Sequence, residues 1–251
     1  MKTSRIRLSR ERFGRRVLFA LVSDLHGEDP REALRILREK KPDYILMPGD
    51  VLERLNGKDT RAHRNGFVLL EGASEIAPTF YSMGNHEDGG VHSWNPMWKL
   101  KKKEREYDEV DLKHIRESGV TLLADSYAIC DGIAFGGLQS GLINKGGEPS
   151  LAWLDEFCAL DVPKVLLCHH PEYYEKYLKD RPLDLIVSGH AHGGQWRVLG
   201  RGVFAPGQGL FPKYTAGVHD DRLVIGTGLK KGHFPIPRLF NPPEVVFIHV
   251  T

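Results

Sequence analysis

Five short apolar runs in this sequence each end on residue types that bind divalent metal ions. The first run ends at Asp24 and His26, and the second ends at Asp50. The remaining runs end at Asn85 with His86, at His169, and at His190 with His192. Carboxylate, amide and imidazole groups without a thiolate suit manganese, iron or zinc, and the sequence does not choose among them. These residues therefore predict a divalent metal site.

The runs that carry these residues have the length and composition of buried strands. They occupy residues 17–22, 44–47, 79–83, 165–168 and 185–187. Short apolar segments bounded by glycine, proline and polar turns are typical of strands that are covered on both faces. Because ligands of an open α/β sheet lie at the carboxyl ends of its strands, we expect one sheet edge to gather all the metal-binding side chains.

Two metal ions would explain why so many ligand-type residues are present. Two divalent ions about 3.5 to 4 Å apart can hold both the attacking and the leaving oxygen of a phosphoryl displacement. Their mutual repulsion must be offset by anionic ligands, preferably by one that they share. Asp50 is the candidate for that bridge.

The motifs around these residues occur in a recognisable order. They are Asp24-Leu25-His26, Gly49-Asp50-Val51-Leu52-Glu53, Gly84-Asn85-His86-Glu87, His169-His170-Pro171 and Gly189-His190-Ala191-His192. In this order they resemble the calcineurin-like metallophosphoesterase superfamily, and within it a bacterial phosphohydrolase and phosphodiesterase branch. The resemblance covers nearly the whole chain. It implies an α/β fold of four layers (αββα), in which a two-sheet β-sandwich is flanked by helices.

The resemblance also implies a binuclear metal centre with seven protein ligands. With Asp50 shared, the implied ligands are Asp24, His26 and His192 on one ion, and Asn85, His169 and His190 on the other. A water held between the ions would be acidified to a hydroxide, which attacks the phosphorus in line. The implied enzyme is a hydrolase acting on ester bonds.

His86 follows a candidate ligand, but in the resembled family this histidine faces the substrate. It is the candidate catalytic residue, which donates to a phosphoryl oxygen or protonates the leaving group. Glu87 could orient it from behind. Glu53 stands where the family often has an aspartate, so its role is open. His170 would alternate to the opposite face from His169 and is left out of the ligand set.

Composition predicts one enzyme domain that covers residues 1–251. The chain is 41% hydrophobic and 27% charged, as in an ordinary globular protein. A helix capped by Asp29 is expected, and further helices are expected within 62–76 and 104–118. The three cysteines show no disulfide or metal spacing, and they are expected to be buried thiols of a reduced cytosolic protein: Cys130, Cys158 and Cys168.

The segment 88–105 follows the third motif directly and has two interpretations. It holds Trp94 and Trp98 and four lysines. Such a segment could form a cap that holds an anionic substrate with an apolar part. The alternative is a loop packed by its own tryptophans.

The first 16 residues are basic, whereas the rest of the chain is mildly acidic. They hold seven lysines and arginines and one glutamate, which leaves 28 basic and 32 acidic residues elsewhere. An export signal is rejected because the apolar stretch after Arg16 is short and runs into Asp24. We expect a cytoplasmic protein in which residues 1–16 form either a weak contact with the anionic inner membrane surface or a solvated edge strand.

Three classes of function are compatible with such a site. A metal-dependent hydrolase of a phosphodiester, phosphomonoester or pyrophosphate is favoured because every metal position is filled. A nuclease of the same superfamily would need a strongly basic stripe, which the acidic body does not offer. A non-catalytic metal-binding module would be free to lose ligands, and none is lost. The expected partner is a small-molecule or lipid-linked phosphoester, with no obligate protein partner evident.

Overall fold

The computed structural model of the protein describes residues 1–53, 61–88, 109–141, 147–233 and 236–251. The α-helices in these ranges are α1 (Arg31–Lys40), α2 (Arg61–Ser74), α3 (Glu109–Glu117) and α4 (Leu154–Ala159). Short 3-10 or π turns occupy Glu11–Phe13, Tyr174–Leu178 and His192–Gly194. Nearly all of the segment predicted as a cap or a packed loop lies outside the described residues, so both interpretations stay open.

The first sheet has six strands and is parallel over most of its width. Its strands are β1 (Lys2–Leu8), β2 (Val17–Leu21), β3 (Tyr44–Pro48), β4 (Thr79–Ser82), β5 (Thr121–Leu122) and β18 (Glu244–Val250). The spatial order is β1-β18-β2-β3-β4-β5. Strand β18 is parallel to β1 and antiparallel to β2, so the last strand of the chain lies between the first two.

The second sheet also has six strands, in the order β14-β15-β9-β8-β7-β6. Its strands are β6 (Ser126–Cys130), β7 (Ile133–Leu138), β8 (Lys164–Cys168), β9 (Leu185–Ser188), β14 (Gly217–His219) and β15 (Leu223–Ile225). Short hairpins pair β10 (Arg197–Val198) with β11 (Arg201–Gly202), β12 (Phe204–Ala205) with β13 (Gly209–Leu210), and β16 (Gly232–His233) with β17 (Ile236–Pro237).

Three apolar clusters join these elements into layers. The cluster between the two sheets contains Phe80 and Phe135, whose rings stack with centroids 3.8 Å apart. A second cluster packs α1 and α2 against the other face of the first sheet. A third packs α4 against the other face of the second sheet. Burial of apolar faces on both sides of each sheet thus produces the predicted αββα fold, which is confirmed.

The predicted helices are present, with some shifted ends. Helix α1 begins at Arg31, two residues after the predicted cap Asp29, so Pro30 takes the cap position. Asp29 still contributes to the helix start, because its Oδ1 accepts the Arg31 backbone N–H at 3.0 Å. Helix α2 lies almost wholly within the predicted range, and α3 covers the described part of the third range.

We name residues 1–16 the basic arm. Its first half forms the predicted edge strand, β1, in which Arg5 is exposed. Other basic side chains of the arm bind the body of the protein. Arg10 Nε donates to the Asp184 carbonyl at 3.1 Å, and Arg15 donates to the Tyr44 hydroxyl at 2.6 Å. Within the described ranges, none of the helices has the length and apolar character needed to cross a membrane. The predicted membrane contact of the arm stays a prediction.

Candidate metal centre

The predicted ligands lie where strands of both sheets end. They follow β2, β3 and β4 in the first sheet, and β8 and β9 in the second. In chain order they are Asp24, His26, Asp50, Asn85, His169, His190 and His192, and all are buried. The expectation of a single sheet edge is therefore corrected, since the carboxyl ends of two stacked sheets contribute. Sheet stacking brings the two sets of turns together.

Five of these seven residues have a left-handed backbone. The φ angles are 52° at Asp24, 46° at His26, 53° at Asp50, 64° at His190 and 46° at His192. Residues other than glycine rarely adopt this conformation, although aspartate and histidine tolerate it better than most. Such strain costs about 1 to 3 kcal/mol per residue and persists where the surrounding structure imposes it, commonly at functional sites.

Two glycines permit the close approach of the turns around Asp50. Gly49 has a φ of 93°, and a Cβ atom there would collide with the backbone of Gly84. A Cβ atom at Gly84 would collide with the Asp50 carboxylate. No side chain larger than hydrogen therefore fits between the turn after β3 and the turn after β4. This steric limit explains the glycine that begins each of these two motifs.

Asp24, His26 and His192 form what we name the first ligand group. One nitrogen or oxygen atom from each lies within 4.8 Å of the others. Asp24 Oδ1 is 3.9 Å from His26 Nε2 and 3.8 Å from His192 Nε2. These separations are longer than a hydrogen bond. They are expected for two atoms that bind the same ion, each at about 2.0 to 2.2 Å from it.

Asn85, His169 and His190 form the second ligand group. His169 Nε2 is 3.1 Å from Asn85 Oδ1, and the rings of His169 and His190 are 5.0 Å apart. On its other side, the His169 Nδ1 atom donates to the Pro48 carbonyl at 2.6 Å. This bond fixes the ring so that Nε2 faces the centre, as a support behind a metal-binding imidazole does.

Asp50 lies between the two ligand groups. Its Oδ2 atom is 3.4 Å from His26 Nε2 and 3.2 Å from His169 Nε2. Its Oδ1 atom accepts the backbone N–H of His86 at 3.0 Å. One carboxylate oxygen thus faces both groups, which is the position that a shared ligand requires.

The charges of these residues fit a metal site, because metal binding requires neutral imidazoles and charged carboxylates. Burial lowers the pKa of His26, and burial with the neighbouring histidines lowers the pKa of His190. Although burial alone would raise the pKa of Asp50, the adjacent histidines bring it well below its usual range. Burial would lower the pKa of His169, but Asp50 raises it to about 10. His169 would therefore carry a proton without a metal ion, and a bound cation would displace that proton.

His86 lies beside the two groups and is more exposed than their members. Its side chain is 21% exposed, and its Nε2 atom is 3.9 Å from Asp50 Oδ2. Its Nδ1 atom is 3.5 Å from Glu53, and the same carboxylate lies 3.4 Å from His26 Nδ1. Burial would lower the pKa of His86, but Asp50 and Glu53 raise it to about 9. Glu53, whose role the sequence left open, therefore faces two imidazoles.

Glu87 contacts different groups from those that the sequence suggested. Its buried carboxylate accepts hydrogen bonds of 2.7 to 3.0 Å from the Tyr81 hydroxyl and from the backbone N–H groups of Asp50, Val51, Leu52 and Gly84. Burial raises the pKa of Glu87, whereas these bonds favour its charged form. The expectation that Glu87 orients His86 is corrected: Glu53 faces that ring, and Glu87 fixes the turn that carries Asp50.

His170 lies next to the centre, although the sequence left it out of the ligand set. Its ring is 4.3 Å from that of His190, and its Nδ1 atom is 3.1 Å from Glu172 Oε1. Its Nε2 atom is 3.1 Å from Ser140 Oγ. His170, Glu172 and His190 could together hold a cation. Glu172 was not identified from the sequence. Its position two residues after His170 is the sequence feature that could have indicated it.

Comparisons with known proteins identify the family of this chain. Residues 17–194 match the family model of calcineurin-like phosphoesterases. The phosphodiesterase YaeI of Escherichia coli is 28% identical over 85% of this chain and 66% of its own length. An uncharacterized metallophosphoesterase of Campylobacter jejuni, Cj0846, is 30% identical over 92% of this chain and 56% of its own length. The chain thus spans between about half and two thirds of these relatives.

A solved structure supports the fold. The sulfate thiohydrolase SoxB of Thermus thermophilus aligns with a TM-score of 0.52 at 12% identity, over 85% of this chain and 52% of that chain. The family model covers more than half of this chain, and its range includes all seven predicted ligands. The chain therefore belongs to the calcineurin-like phosphoesterase family of metal-dependent hydrolases that act on phosphoester bonds.

Proposed function

We propose that this protein hydrolyses a small-molecule or lipid-linked phosphoester with two divalent ions, held by the two ligand groups and by Asp50. The bond is that of a phosphodiester, a phosphomonoester or a pyrophosphate, and the Escherichia coli relative named as a phosphodiesterase favours the diester. Manganese, iron and zinc suit the donor set, which has carboxylate, amide and imidazole groups and no thiolate.

The position of Asp50 Oδ2 carries this proposal. The atom is 3.4 Å from an imidazole of the first group and 3.2 Å from an imidazole of the second. A carboxylate shared in this way offsets the repulsion between two close cations. A site for one ion would need only one of the two ligand groups.

The bound ions would supply Lewis acidity and an acidified water as the nucleophile. Residues of the chain supply the remaining functions. His86 can donate a proton through Nε2 to a phosphoryl oxygen or to the leaving group. Glu53 holds the opposite side of that ring through Nδ1. Glu87 keeps the Asp50 turn in place through the backbone bonds that it accepts.

A metal-reconstitution screen tests this function. Protein stripped by a chelator is reloaded with manganese, ferrous iron or zinc and assayed on bis(p-nitrophenyl) phosphate, p-nitrophenyl phosphate and ADP-ribose. These probes represent the diester, the monoester and the pyrophosphate. We expect at least one metal to restore hydrolysis, with the diester cleaved fastest. Equal rates in stripped and reloaded protein would contradict the proposal.

An oligonucleotide in the same screen tests the nuclease alternative. The chain beyond residue 16 has more acids than bases. We therefore expect slow or undetectable cleavage of the oligonucleotide. Rapid cleavage, together with little activity on the small esters, would replace the proposed substrate class by nucleic acid.

A further inference from the structure

Exposed large apolar side chains are concentrated in one part of the described chain. Of the eleven such residues in the described ranges, eight lie between residues 196 and 240. The most exposed are Leu199 at 99%, Phe240 at 87% and Phe211 at 79%. We name as the apolar face the residues Trp196, Leu199, Leu210, Phe211, Leu239 and Phe240. Contiguous exposed apolar groups of this kind mark interaction sites.

The three most exposed residues of the apolar face all have a left-handed backbone. Their φ angles are 50° at Leu199, 51° at Phe211 and 55° at Phe240. For large apolar side chains this conformation is a genuine outlier, and glycine or asparagine would adopt it at lower cost. Neither the backbone strain nor the exposure stabilises the folded chain. Together they indicate that these side chains serve a contact with something outside it.

The members of the apolar face lie on neighbouring segments. The Val203 N–H donates to the Trp196 carbonyl at 2.9 Å, and the Phe211 N–H donates to the Val203 carbonyl at 2.9 Å. On the other side, the Arg197 N–H donates to the Leu239 carbonyl at 3.1 Å. These backbone bonds join the segments that carry the exposed side chains.

Basic residues and a shortage of acids characterise this part of the chain. Between residues 185 and 243, the acidic residues are Asp220 and Asp221, whereas seven residues are lysine or arginine. Arg201 is exposed two residues after Leu199. The stretch of chain that carries the apolar face is therefore basic, although Lys213 and Lys231 are paired with Glu175 and Glu28 from other parts of the protein.

A cavity of about 320 Å³ joins the apolar face to the basic edge strand. Phe240 and Arg197 line it from one side, and Lys2 and Arg5 line it from β1. The acid among its lining residues is Glu244, which lies 3.1 Å from Lys2 Nζ. Arg197 donates to the Gly193 and Gly200 carbonyls, whereas Arg5 has no acid beside it in the described structure. A phosphate group in the cavity could therefore contact Arg5.

The apolar face is attached to the first ligand group. The Asn241 side chain donates to the His192 carbonyl at 2.6 Å and to the Gln195 carbonyl at 3.2 Å. Trp196, the first member of the face, follows directly after Gln195. The backbone that carries Trp196 and Phe240 therefore adjoins the first ligand group.

We propose that the apolar face docks on an anionic lipid bilayer. Leu199, Phe211 and Phe240 enter the boundary between headgroups and acyl chains, and lipid phosphates contact Lys2 and Arg5 at the adjoining cavity. Apolar and aromatic side chains set among lysine and arginine are typical of interfacial attachment. Three side chains on separate turns suit a fluid boundary better than a rigid protein partner. The proposal does not depend on which phosphoester is hydrolysed.

Vesicle flotation tests the docking. The probes are phosphatidylcholine vesicles and phosphatidylcholine vesicles with phosphatidylglycerol as the minority lipid. We expect the wild-type protein to bind the anionic vesicles. A combined variant, Leu199→Asn, Phe211→Asn and Phe240→Asn, should bind them at least about tenfold more weakly. Asparagine tolerates a positive φ, so this variant should melt at the same temperature or higher, and it should hydrolyse a soluble ester at the wild-type rate.

Two further variants serve as controls. Val68→Gln, Val110→Gln and Ile129→Thr together remove exposed apolar side chains elsewhere and should leave vesicle binding unchanged. Lys2→Gln with Arg5→Gln should weaken binding to the anionic vesicles and reduce its sensitivity to salt.

Two results would overturn the proposal. One is wild-type protein that does not bind the anionic vesicles. The other is a triple asparagine variant that binds them as tightly as wild type does. If the wild-type protein were a dimer by light scattering, failed to bind vesicles and became a monomer in the triple variant, the occupant would be a second copy of the chain.

Discussion

The two ligand groups of the metal centre have similar donors but are held in different ways. All three residues of the first group have a left-handed backbone, whereas in the second group only His190 does. The second group relies on hydrogen bonds, since His169 is fixed by the Pro48 carbonyl. Behind the first group, the Glu53 carboxylate lies 3.4 Å from His26 Nδ1.

Because the two groups are held in different ways, the two halves of the centre can be disturbed separately. Asp50 is the element that they share, and Glu87 supports it through the backbone. A change at Asp50 should therefore affect both groups. A change at a residue that only holds a ligand in place should have a smaller and more local effect.

Removing the shared carboxylate by Asp50→Ala should have the largest effect. Both ions lose a ligand and their repulsion is no longer offset, so we expect kcat/KM to fall by about 10³-fold or more. Steady-state hydrolysis by reconstituted protein measures this. The control is Asp161→Ala, which removes a fully exposed carboxylate outside the ligand set and should behave as wild type. Near-wild-type activity in Asp50→Ala would show that the groups do not share it.

His86→Ala should remove a proton donor without removing an ion. We expect kcat to fall by about 10²-fold while the metal content stays as in wild type. A smaller loss with p-nitrophenyl esters than with alkyl esters would identify the leaving-group oxygen as the acceptor. His114→Ala, on α3 and paired with Glu71, is the matched control. Loss of metal from His86→Ala would instead make His86 a ligand.

Glu87→Gln should act mainly on stability. The new amide nitrogen would face the backbone N–H groups that now donate to the carboxylate, so we expect the free energy of unfolding to fall by about 2 kcal/mol. Urea denaturation measures this value. An unchanged midpoint and slope would mean that the Asp50 turn is held by other contacts.

Glu53→Gln should have the smallest effect and should act on catalysis. Its carboxylate faces the Nδ1 atoms of His26 and His86 without the backbone bonds that Glu87 accepts. We expect kcat to fall by about tenfold, with little change in the free energy of unfolding. A loss of stability as large as that of Glu87→Gln would remove the distinction between the two acids.

The ligands could be predicted from the sequence because the pattern that reveals them is local. Asp24 and His169, for example, each stand within three residues of the end of an apolar run. The partners of Glu53 and Glu87 could not be predicted in the same way. Those contacts depend on how separate turns pack against each other. The sequence alone does not show which of the two glutamates faces the histidines and which binds the backbone.

The fold divides in a similar manner. Parallel neighbours such as β2 and β3 follow from local strand and helix signals, but the insertion of β18 between β1 and β2 depends on pairing across the whole chain. Among the cysteines, Cys168 is buried as predicted, whereas Cys130 and Cys158 are only partly buried. The left-handed backbone at Phe211 has no local signal, because phenylalanine rarely adopts it.

Counting the ions bound to reconstituted protein by mass spectrometry tests the central claim most directly. If Asp50 joins two ligand groups, wild-type protein should hold about two ions per chain. His192→Ala in the first group and His169→Ala in the second should each hold about one, and Asp50→Ala should lose occupancy at both positions. A single ion in wild-type protein, or full occupancy in Asp50→Ala, would contradict a shared two-metal centre.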